Sequence, residues 1–405
     1  MKKLKPETAA LHAECAPGDR YRPSSTPLYQ TATFRQESLD DFGEYDYSRS
    51  GNPTRTVLEA RLAELEHARH GFAFSSGMAA ISTVLRLLKS GEGVLGAGDL
   101  YGGTFRLFEK ICARQGIRTA YADASDLESF DAVLRKHRPR LVWIETPSNP
   151  RLRITDLRSL SALCRRAGAW LAVDNTFLSP VLQNPLFLGA DLVIHSATKH
   201  LGGHSDVTAG AICLNSDELA SEIRFIQNAE GSALAPFDSW LLLRGLKTLH
   251  LRVRQQQKNA QKLAQYLEHS RTLFGVLKAV HYPGLDQFPD WDLHFSQASG
   301  AGTVIGIETG SLPLSLELAR CLKLFPVSVS FGGLQSSLCL PNRMSHASTP
   351  ETIRSLDPIP ADWLRLSVGI EDAEDLIGDF SHALERTAEI ASQTAPGANL
   401  RICSM

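Results

Sequence analysis

A lysine that follows an apolar run is the residue of this sequence best suited to covalent chemistry. Lys199 lies four residues after the run LVIH, in the segment DLVIHSATKHLGGHSD. Burial and neighbouring cations lower the pKa of a lysine, which favours Schiff-base chemistry. The alternative is a lysine whose stem lies on the sheet while its ammonium group reaches water. Taken alone, Lys199 would favour that alternative, so the interpretation depends on its neighbours.

Hydroxyl groups and a predicted helix start form a candidate anion site near this lysine. Ser196 and Thr198 precede Lys199 and could donate hydrogen bonds to a phosphate. The turn SSGM at residues 75–78 opens a helical segment, and the free N–H groups and positive dipole end of a helix start favour an anion. The alternative for this turn is an ordinary helix cap.

A carboxylate completes the set of candidate residues. Asp174 ends the apolar run WLAV without an obvious cation nearby in the sequence. A carboxylate at such a position is costly unless it is paired, and a protonated pyridinium nitrogen would be a suitable partner. The alternative is a helix N-cap, since Asn175 and Thr176 follow. Because ligands of open parallel sheets bind beyond the carboxyl ends of the strands, these residues and the segment 145–150 favour a phosphorylated aromatic cofactor over a dinucleotide.

The elements that must position these residues alternate along the chain. From Thr54 the segment TRTVLEARLAELEHA has apolar residues at helical spacing. Short apolar runs then alternate with helical segments as far as the run AGAICLN. Strands that are apolar throughout and separated by helices indicate a mainly parallel sheet covered on both faces. The predicted fold class is α/β.

Three parts of the chain follow from this pattern. Residues 1–53 lack apolar periodicity and are predicted to form an extended N-terminal arm. Residues 54–240 are predicted to form the large sheet domain. A long helical stretch begins at Ser239 and leaves that sheet, and residues 241–405 are predicted to form a smaller C-terminal α+β domain. Within it, the segment 327–331 is predicted to be a strand.

Composition limits the classes of function. The chain has 405 residues and a formal charge of −2, so we expect no field for binding nucleic acid or an acidic membrane surface. No uncharged stretch is continuously apolar, which argues against a membrane span, and the start MKKLKPETAALH lacks the apolar segment of a signal peptide. The seven cysteines are scattered and indicate reduced thiols, which predicts a cytoplasmic protein.

Three other motifs carry little weight. GEGVLG at residues 91–96 matches a dinucleotide-binding pattern, but it follows a helix rather than a strand. His195, His200 and His204 lie close together without an acidic ligand pattern, so structural histidines are preferred and no metal is expected. GHSDV at residues 203–207 lacks the last glycine of a serine-hydrolase elbow.

An ordered series of motifs over nearly the whole chain resembles a known family. The motifs are YSRSGNPT (47–54), FSSGMAAI (74–81), DLYGGTFRLF (99–108), ETPSNP (145–150), VDNTF (173–177), HSATKHLGGHSD (195–206), PFDSWLLLRGLKTL (236–249) and LRLSVGIED (364–372). They are similar to those of the cystathionine synthase and lyase family, the trans-sulfuration enzymes of fold type I that depend on pyridoxal 5'-phosphate (PLP). The resemblance implies PLP as cofactor, residues 54–240 as the domain that binds it, and a homotetramer of two catalytic dimers.

The resemblance also implies a role for each matched residue. Lys199 would be the Schiff-base lysine, Asp174 would pair with the pyridine nitrogen, and Tyr101 would stack on the ring. Arg365 would bind the substrate α-carboxylate. The remaining implied residues are Ser76, Gly77, Met78, Thr176, Ser196 and Thr198 for the cofactor, Tyr47 and Arg49 for its phosphate from a neighbouring subunit, and Ser330 and Asn149 for the substrate. Apart from the resemblance, Arg106 could bind a distal carboxylate, which cystathionine has and methionine lacks; the alternative is a surface helix arginine.

The reaction within the family depends on finer differences. The candidates are cystathionine β-lyase, cystathionine γ-synthase, cystathionine γ-lyase, and a methionine γ-lyase or homoserine-ester sulfhydrylase. Methionine γ-lyases have a motif similar to YGC where this chain has YGG at 101–103. The γ-synthases and γ-lyases have a motif similar to S-L-G-G-x-E-S-L where this chain has SFGGLQSSL, so that Gln335 replaces a carboxylate. Plant-type β-lyases resemble residues 228–249, 294–311 and 344–350.

The resemblance therefore implies β-elimination on L-cystathionine, which gives homocysteine, pyruvate and ammonia. The freed Lys199 would take the Cα proton while the protonated ring accepts the electrons. Gln335 and the stretch LDQFPDWDLHF leave room for a relative acting on another sulfur amino acid or a modified side chain. One other class remains open, a PLP-fold binding protein that has lost catalysis. A nicotinamide dehydrogenase would need a strand leading into the glycine motif and an acidic residue after the second strand, and neither is evident.

Overall fold

A computed structural model describes residues 5–12, 21–344 and 359–394 of the chain. The motif segment at residues 345–350 lies outside the described residues. In the described part of the N-terminal arm, a short helix α1 (Pro6–Leu11) is followed, from residue 21, by extended chain. The arm ends at helix α2 (Pro53–Leu65), where the side chain of Asn52 accepts a hydrogen bond from the Thr54 amide and caps the helix.

Seven strands form the main sheet. They are β1 (His70–Phe74), β2 (Gly93–Ala97), β3 (Arg118–Ala122), β4 (Leu141–Glu145), β5 (Trp170–Asp174), β6 (Leu192–His195) and β7 (Gly210–Leu214). Their spatial order is β1–β7–β6–β5–β4–β2–β3, and only β7 runs antiparallel to its neighbours. Strands β2, β4, β6 and β7 are buried along their whole length, because continuous apolar runs need cover on both faces.

Helices connect these strands and cover the sheet. They are α2, α3 (Gly77–Arg86), α4 (Gly102–Arg106), α5 (Leu127–His137), α6 (Leu157–Ala167), α7 (Ser179–Leu182), α8 (Asp217–Glu230) and α9 (Pro236–Leu246). Helix α4 continues as a π-helical segment, Leu107–Cys112, and a 3-10 turn, Ala113–Gln115. A second 3-10 turn spans Pro185–Leu188.

A smaller antiparallel sheet forms the C-terminal part. Its strands are β8 (Ala279–His281), β9 (Val304–Glu308), β10 (Ser337–Cys339) and β11 (Leu364–Ser367), in the order β10–β11–β9–β8. The helices of this part are α10 (Leu249–Phe274), α11 (Trp291–Gln297), α12 (Leu312–Cys321) and α13 (Ala373–Thr394). The predicted α/β class, with a mainly parallel sheet and a smaller α+β domain, is confirmed.

Two hydrophobic cores meet along α10. Leu249 and Val253 belong to the core of the large sheet, whereas Leu263 and Leu267 belong to the core of the small sheet. The change of core therefore occurs inside one helix. The predicted long helical stretch is interrupted after Leu246, where α9 ends and α10 begins three residues later.

The prediction of a strand at residues 327–331 is wrong. Val327 forms a single bridge with Leu338, and Ser330 has a φ of 94°, which a strand does not tolerate. The segment is a loop that crosses the carboxyl edge of the large sheet.

Among the described residues, no helix combines the length and the apolar character needed to cross a membrane. The same residues hold no cluster of three or more His, Cys, Asp or Glu side chains that could bind a metal ion. Their cysteines, at positions 112, 164, 213, 321 and 339, are all free thiols.

Candidate active site

The carboxyl ends of the central strands open into a cavity of about 420 Å³. This is the position at which parallel sheets bind ligands. The cavity brings together most of the residues singled out in the sequence: Ser76, Gly77, Met78, Tyr101, Arg106, Asn149, Asp174, Thr176, Ser196, Thr198, Lys199, Ser330 and Arg365.

The start of α3 forms one wall of the cavity. Ser76 is the N-cap, and its Oγ accepts a hydrogen bond from the Ala79 amide at 3.0 Å. A Cβ added at Gly77 would lie 3.0 Å from the Cβ of Ser196, so glycine allows the helix start to approach the end of β6. The helix amides and the Ser196 hydroxyl are thereby directed to one place, which suits an anion.

Asp174 is linked to this wall through a threonine. The Thr176 hydroxyl accepts a hydrogen bond from the Ser196 amide at 2.8 Å and donates one to Asp174 Oδ1 at 2.5 Å. The Thr176 amide donates a second hydrogen bond to the same oxygen at 3.0 Å. Within the described residues both hydrogen bonds of Asp174 are accepted by Oδ1, so Oδ2 can accept one from a ligand. Burial raises the pKa of Asp174, an effect that the two hydrogen bonds oppose.

Glu145 is a cavity residue to which the sequence analysis assigned no role. It ends β4, one strand from Asp174, and its Oε1 accepts a hydrogen bond from the Tyr101 amide at 2.9 Å. Its side chain is buried, and burial together with the charge of Asp174 holds the pKa of Glu145 well above its ordinary value. The sequence signal that could have identified Glu145 as a site residue is its position at the end of the apolar run LVWI.

Lys199 reaches the cavity from the turn after β6. Its Nζ donates a hydrogen bond to the Ser330 hydroxyl at 2.6 Å. Burial, with the positive charge of Arg365, lowers the pKa of Lys199 to about 8. The side chain is therefore not the solvated surface lysine of the alternative interpretation.

Arg365 projects from β11 of the small sheet and is only 2% exposed. Its Nη1 donates to Asn149 Oδ1 at 2.8 Å, and its Nη2 donates to the Ser330 carbonyl at 2.7 Å. Ser330 thus contacts both cations of the site, Lys199 through its hydroxyl and Arg365 through its backbone. Asn149 and Ser330 fix the plane of the guanidinium, as carboxylate binding requires.

Tyr47 and Arg49 are not brought to the cavity of their own chain. Tyr47 is exposed, and the Arg49 guanidinium lies 5.4 Å from its ring centroid. Arg49 Nη1 donates to the backbone and side-chain oxygens of Asn228, at 2.6 and 2.9 Å. Gln335 is exposed and does not line the cavity.

Several apolar and polar residues of the cavity were not singled out as site residues in the sequence analysis. They are Ile81, Phe177, Thr208, Val329, Phe331 and Met344. Phe331 and Phe177 pack with ring centroids 4.5 Å apart. Contacts of this kind join segments distant in sequence, so no local pattern signals them.

The three neighbouring histidines have protein partners. His195 Nε2 lies 2.6 Å from Glu66 Oε1, and the two nitrogens of His200 lie 3.1 Å from the Thr176 carbonyl and 2.8 Å from the Thr303 hydroxyl. His204 Nδ1 lies 2.8 Å from the Gly202 carbonyl. Burial lowers the pKa of His200 to about 4. These contacts agree with structural roles.

The donor set fits PLP. The close approach of Gly77 to Ser196 makes a cradle for a phosphate, Asp174 Oδ2 is available to a protonated ring nitrogen, and Lys199 can bond to an aldehyde. Ser76, Met78, Tyr101, Thr176 and Thr198 line the same space.

This fold and this site define a PLP-dependent enzyme of fold type I. The family model described as "Cys/Met metabolism PLP-dependent enzyme" matches residues 7–385, and the chain belongs to that family. The family, fold and cofactor predicted from the sequence are thereby confirmed.

Alignments with named relatives extend over most of the chain. The chain is 48% identical over 368 residues to the chloroplastic cystathionine beta-lyase of Arabidopsis thaliana, covering 91% of this chain and 78% of that protein. It is 44% identical over 368 residues to the chloroplastic mimosinase of Mimosa pudica, covering 90% and 82%. The crystal structure of cystathionine gamma synthase from Xanthomonas oryzae pv. oryzae in complex with cystathionine has a TM-score of 0.91 at 39% identity, covering 96% of this chain and 99% of that chain.

Proposed function

We propose that the protein cleaves the Cβ–S bond of L-cystathionine by β-elimination and releases homocysteine, pyruvate and ammonia. The observation that carries the proposal is the double contact of Ser330, which places Lys199 beside the carboxylate-binding Arg365. A substrate held by its α-carboxylate at Arg365 would present its Cα hydrogen to the Lys199 amine. The name of the Arabidopsis thaliana relative, a cystathionine beta-lyase, supports this choice within the family.

Each residue of the site has a task in this reaction. PLP, when bound, supplies an aldehyde for the substrate amine and a ring that accepts electrons from Cα. Asp174 stabilises the protonated ring nitrogen, and Tyr101 covers the ring. The helix start at Ser76, Gly77 and Met78, with the Ser196 and Thr198 hydroxyls, holds the phosphate.

Lys199 moves the proton. Its neutral amine takes the proton from Cα, and the Cβ–S bond then breaks with its electron pair leaving on sulfur. The sulfur gains a proton and leaves as homocysteine. One water is consumed when the remaining three carbons and nitrogen become pyruvate and ammonia. The pKa of about 8 for Lys199 keeps part of the amine neutral near physiological pH.

Arg106 supports cystathionine over a shorter substrate. It lines the cavity and is exposed at its mouth, where a guanidinium could bind the distal carboxylate that cystathionine carries. Residue 335 is a glutamine, so this position offers no carboxylate for a second proton transfer. Arg106 favours cystathionine, which β- and γ-lyases both cleave, and the amide at position 335 favours β-elimination over γ-chemistry.

We further propose that Tyr47 and Arg49 complete the site of a neighbouring copy in a homotetramer. The support is that both side chains are exposed in their own chain and lie outside its cavity. The free cysteines of the described residues fit a reducing compartment, and we propose the cytoplasm. Residues 1–53, 54–240 and 241–405 are the proposed arm, cofactor domain and small domain.

The test is the product formed from L-cystathionine, with pyruvate and 2-oxobutyrate assayed separately. Pyruvate with homocysteine is expected. Dominant 2-oxobutyrate with cysteine would replace the proposal by γ-lyase activity, and a yellow protein that leaves cystathionine intact would replace it by γ-substitution or by a specialised substrate. An Arg106→Gln variant should lose about tenfold in kcat/KM for cystathionine and little for S-methylcysteine, which has no distal carboxylate.

A further inference from the structure

One aromatic ring contacts both cations of the site. The centroid of Phe331 lies 5.3 Å from Lys199 Nζ and 5.3 Å from Arg365 Cζ. Both distances are within the range in which the face of an aromatic ring attracts a cation. Lys199 follows a strand of the large sheet and Arg365 belongs to the small sheet, so the ring lies where the two parts of the site meet.

The ring is held firmly in this place. Phe331 is 7% exposed, and it packs on Phe177 at 4.5 Å and on His200 at 5.7 Å between ring centroids. The flanking backbone is equally restricted. Ser330 has a φ of 94° and Gly332 a φ of 79°, and a Cβ added at Gly332 would lie 2.8 Å from the His200 amide nitrogen. The loop therefore cannot turn the ring out of the cavity without breaking these contacts.

We propose that Phe331 is a positioning residue that holds the Lys199 ammonium and the Arg365 guanidinium on its aromatic face and offsets their mutual repulsion. The proposal rests on the proposed roles of Lys199 and Arg365 as base and carboxylate-binding group. A carboxylate in place of the ring would neutralise both cations more strongly. It would also pair with Arg365 and compete with the substrate carboxylate, whereas a ring carries no net charge to compete.

The proposal predicts the direction in which the pKa of Lys199 changes when the aromatic face of residue 331 is removed. Among the described residues, the titratable groups that act on Lys199 are Arg365, which lowers its pKa, and Asp174 and Cys339, which raise it in their ionised forms; burial raises the pKa of the Cys339 thiol and so keeps it mainly neutral. The ring face attracts the ammonium form and therefore also raises the pKa. Removing the aromatic face while keeping the bulk should lower the pKa of Lys199, because the ammonium loses a favourable contact and the repulsion from Arg365 is no longer offset.

The experiment measures the reactivity of Lys199 in cofactor-free full-length protein. Samples are treated with limiting acetic anhydride between pH 6 and 11, and acetylation at Lys199 is followed by mass spectrometry. Three forms are compared with the parent: Phe331→Leu, Phe331→Tyr, and the protein with a trifluorinated phenylalanine at position 331. Fluorination keeps the shape of the ring and weakens its negative face. Circular dichroism confirms that each form is folded.

The expected midpoint for the parent is about pH 8. Phe331→Leu and the fluorinated form should lower the midpoint by roughly half a pH unit, which corresponds to the free energy of one partly buried cation–π contact. Phe331→Tyr keeps the aromatic face and should leave the midpoint unchanged. Phe295→Leu is the matched control, because it removes a ring that packs on Trp291 outside the cavity and contacts neither Phe331 nor the two cations in the described contacts, and its midpoint should stay with the parent.

Two results would overturn the role of Phe331. One is an unchanged midpoint in the fluorinated form, which remains decisive even where Phe331→Leu does not fold. The other is an equal shift in Phe295→Leu, which would assign the effect to a general loss of packing. Neither result depends on which amino acid the enzyme cleaves, so failure here is distinct from failure of the proposed reaction.

Discussion

Glu145 and Asp174 are register partners at the carboxyl ends of the parallel strands β4 and β5. Two neighbouring buried carboxylates cannot both hold a charge cheaply, and the pKa of each is raised by burial. Asp174 accepts two hydrogen bonds from Thr176, whereas Glu145 accepts one hydrogen bond from the Tyr101 amide. We infer that Asp174 carries the charge and Glu145 the proton when a cationic ring is bound.

This assignment predicts opposite sensitivities for the two carboxyls. Glu145→Gln should change kcat/KM by less than about tenfold, because a neutral amide can still accept the Tyr101 hydrogen bond. Asp174→Asn should lower kcat by about 10²- to 10³-fold, since it removes the charge opposite the ring nitrogen. Steady-state kinetics of the two variants measures both parameters. Equal losses of kcat/KM in Glu145→Gln and Asp174→Asn would contradict the assignment.

Replacing Lys199 should remove both the covalent attachment of the cofactor and the base. For Lys199→Ala we expect turnover to fall by at least about 10³-fold and the visible absorption of the lysine-bound cofactor to disappear. Lys136→Ala, an exposed lysine at the end of α5, serves as the matched control and should behave as the parent. Near-normal turnover in Lys199→Ala would refute the role of this lysine.

The acidity of Lys199 gives a prediction for pH. Its pKa is lowered to about 8 by burial and by Arg365, so the ammonium form dominates below pH 8 and the neutral amine above it. Reductive methylation of cofactor-free protein should therefore rise at Lys199 through a midpoint near pH 8, about two pH units below a solvent-exposed lysine. Peptide mass spectrometry resolves the site, and a midpoint above pH 10 would mean that Lys199 is solvated.

The planar guanidinium of Arg365 is predicted to matter beyond its charge. Arg365→Lys keeps a cation but cannot hold Asn149, the Ser330 carbonyl and a carboxylate together, so KM should rise by about 10- to 100-fold while the cofactor stays bound. Arg320→Lys, on the exposed face of α12, is the control. A KM equal to that of the parent in Arg365→Lys would exclude Arg365 from substrate binding.

A shared site predicts complementation between inactive variants. If Arg49 acts in the neighbouring copy and Lys199 in its own, mixing unfolded Arg49→Ala and Lys199→Ala chains and refolding them together should restore activity that neither variant has alone. Each mixed pair then contains one intact site. The absence of any gain, with mixed oligomers verified by native mass spectrometry, would place both residues in one chain's site.

The sequence predicted the parts of the site that lie at strand ends. Asp174 and Lys199 each follow a continuous apolar run, and such a run identifies a buried strand and therefore its carboxyl end. The pairing of Glu145 with Asp174 depends on which strands are neighbours, and strand order is not contained in any local pattern. The resemblance to a family supplied Arg365, which lies far along the chain on a different sheet.

Phe331 shows why the remaining contacts were missed. Residues 327–331 have the apolar character that predicts a strand. The positive φ of Ser330 is stabilised by contacts from distant segments, among them the Lys199 amine and the Arg365 guanidinium. Tertiary contacts of this kind override local preference, and they also bring the ring into the site.

The hydrophobic core changes inside α10, so the residues that line the site come from two structurally distinct parts of this enzyme. The proposed cofactor-binding groups lie on the large sheet, whereas Arg365 lies on β11 of the small sheet and Phe331 lies in a small cluster that contains residues of both parts. Ser330, Phe331 and Arg365 all act on Lys199, so substitutions of these three residues change the carboxylate-binding group and the base together. Changes of substrate preference that leave the base undisturbed are therefore expected at other cavity residues of this part of the chain, such as Val329 and Met344.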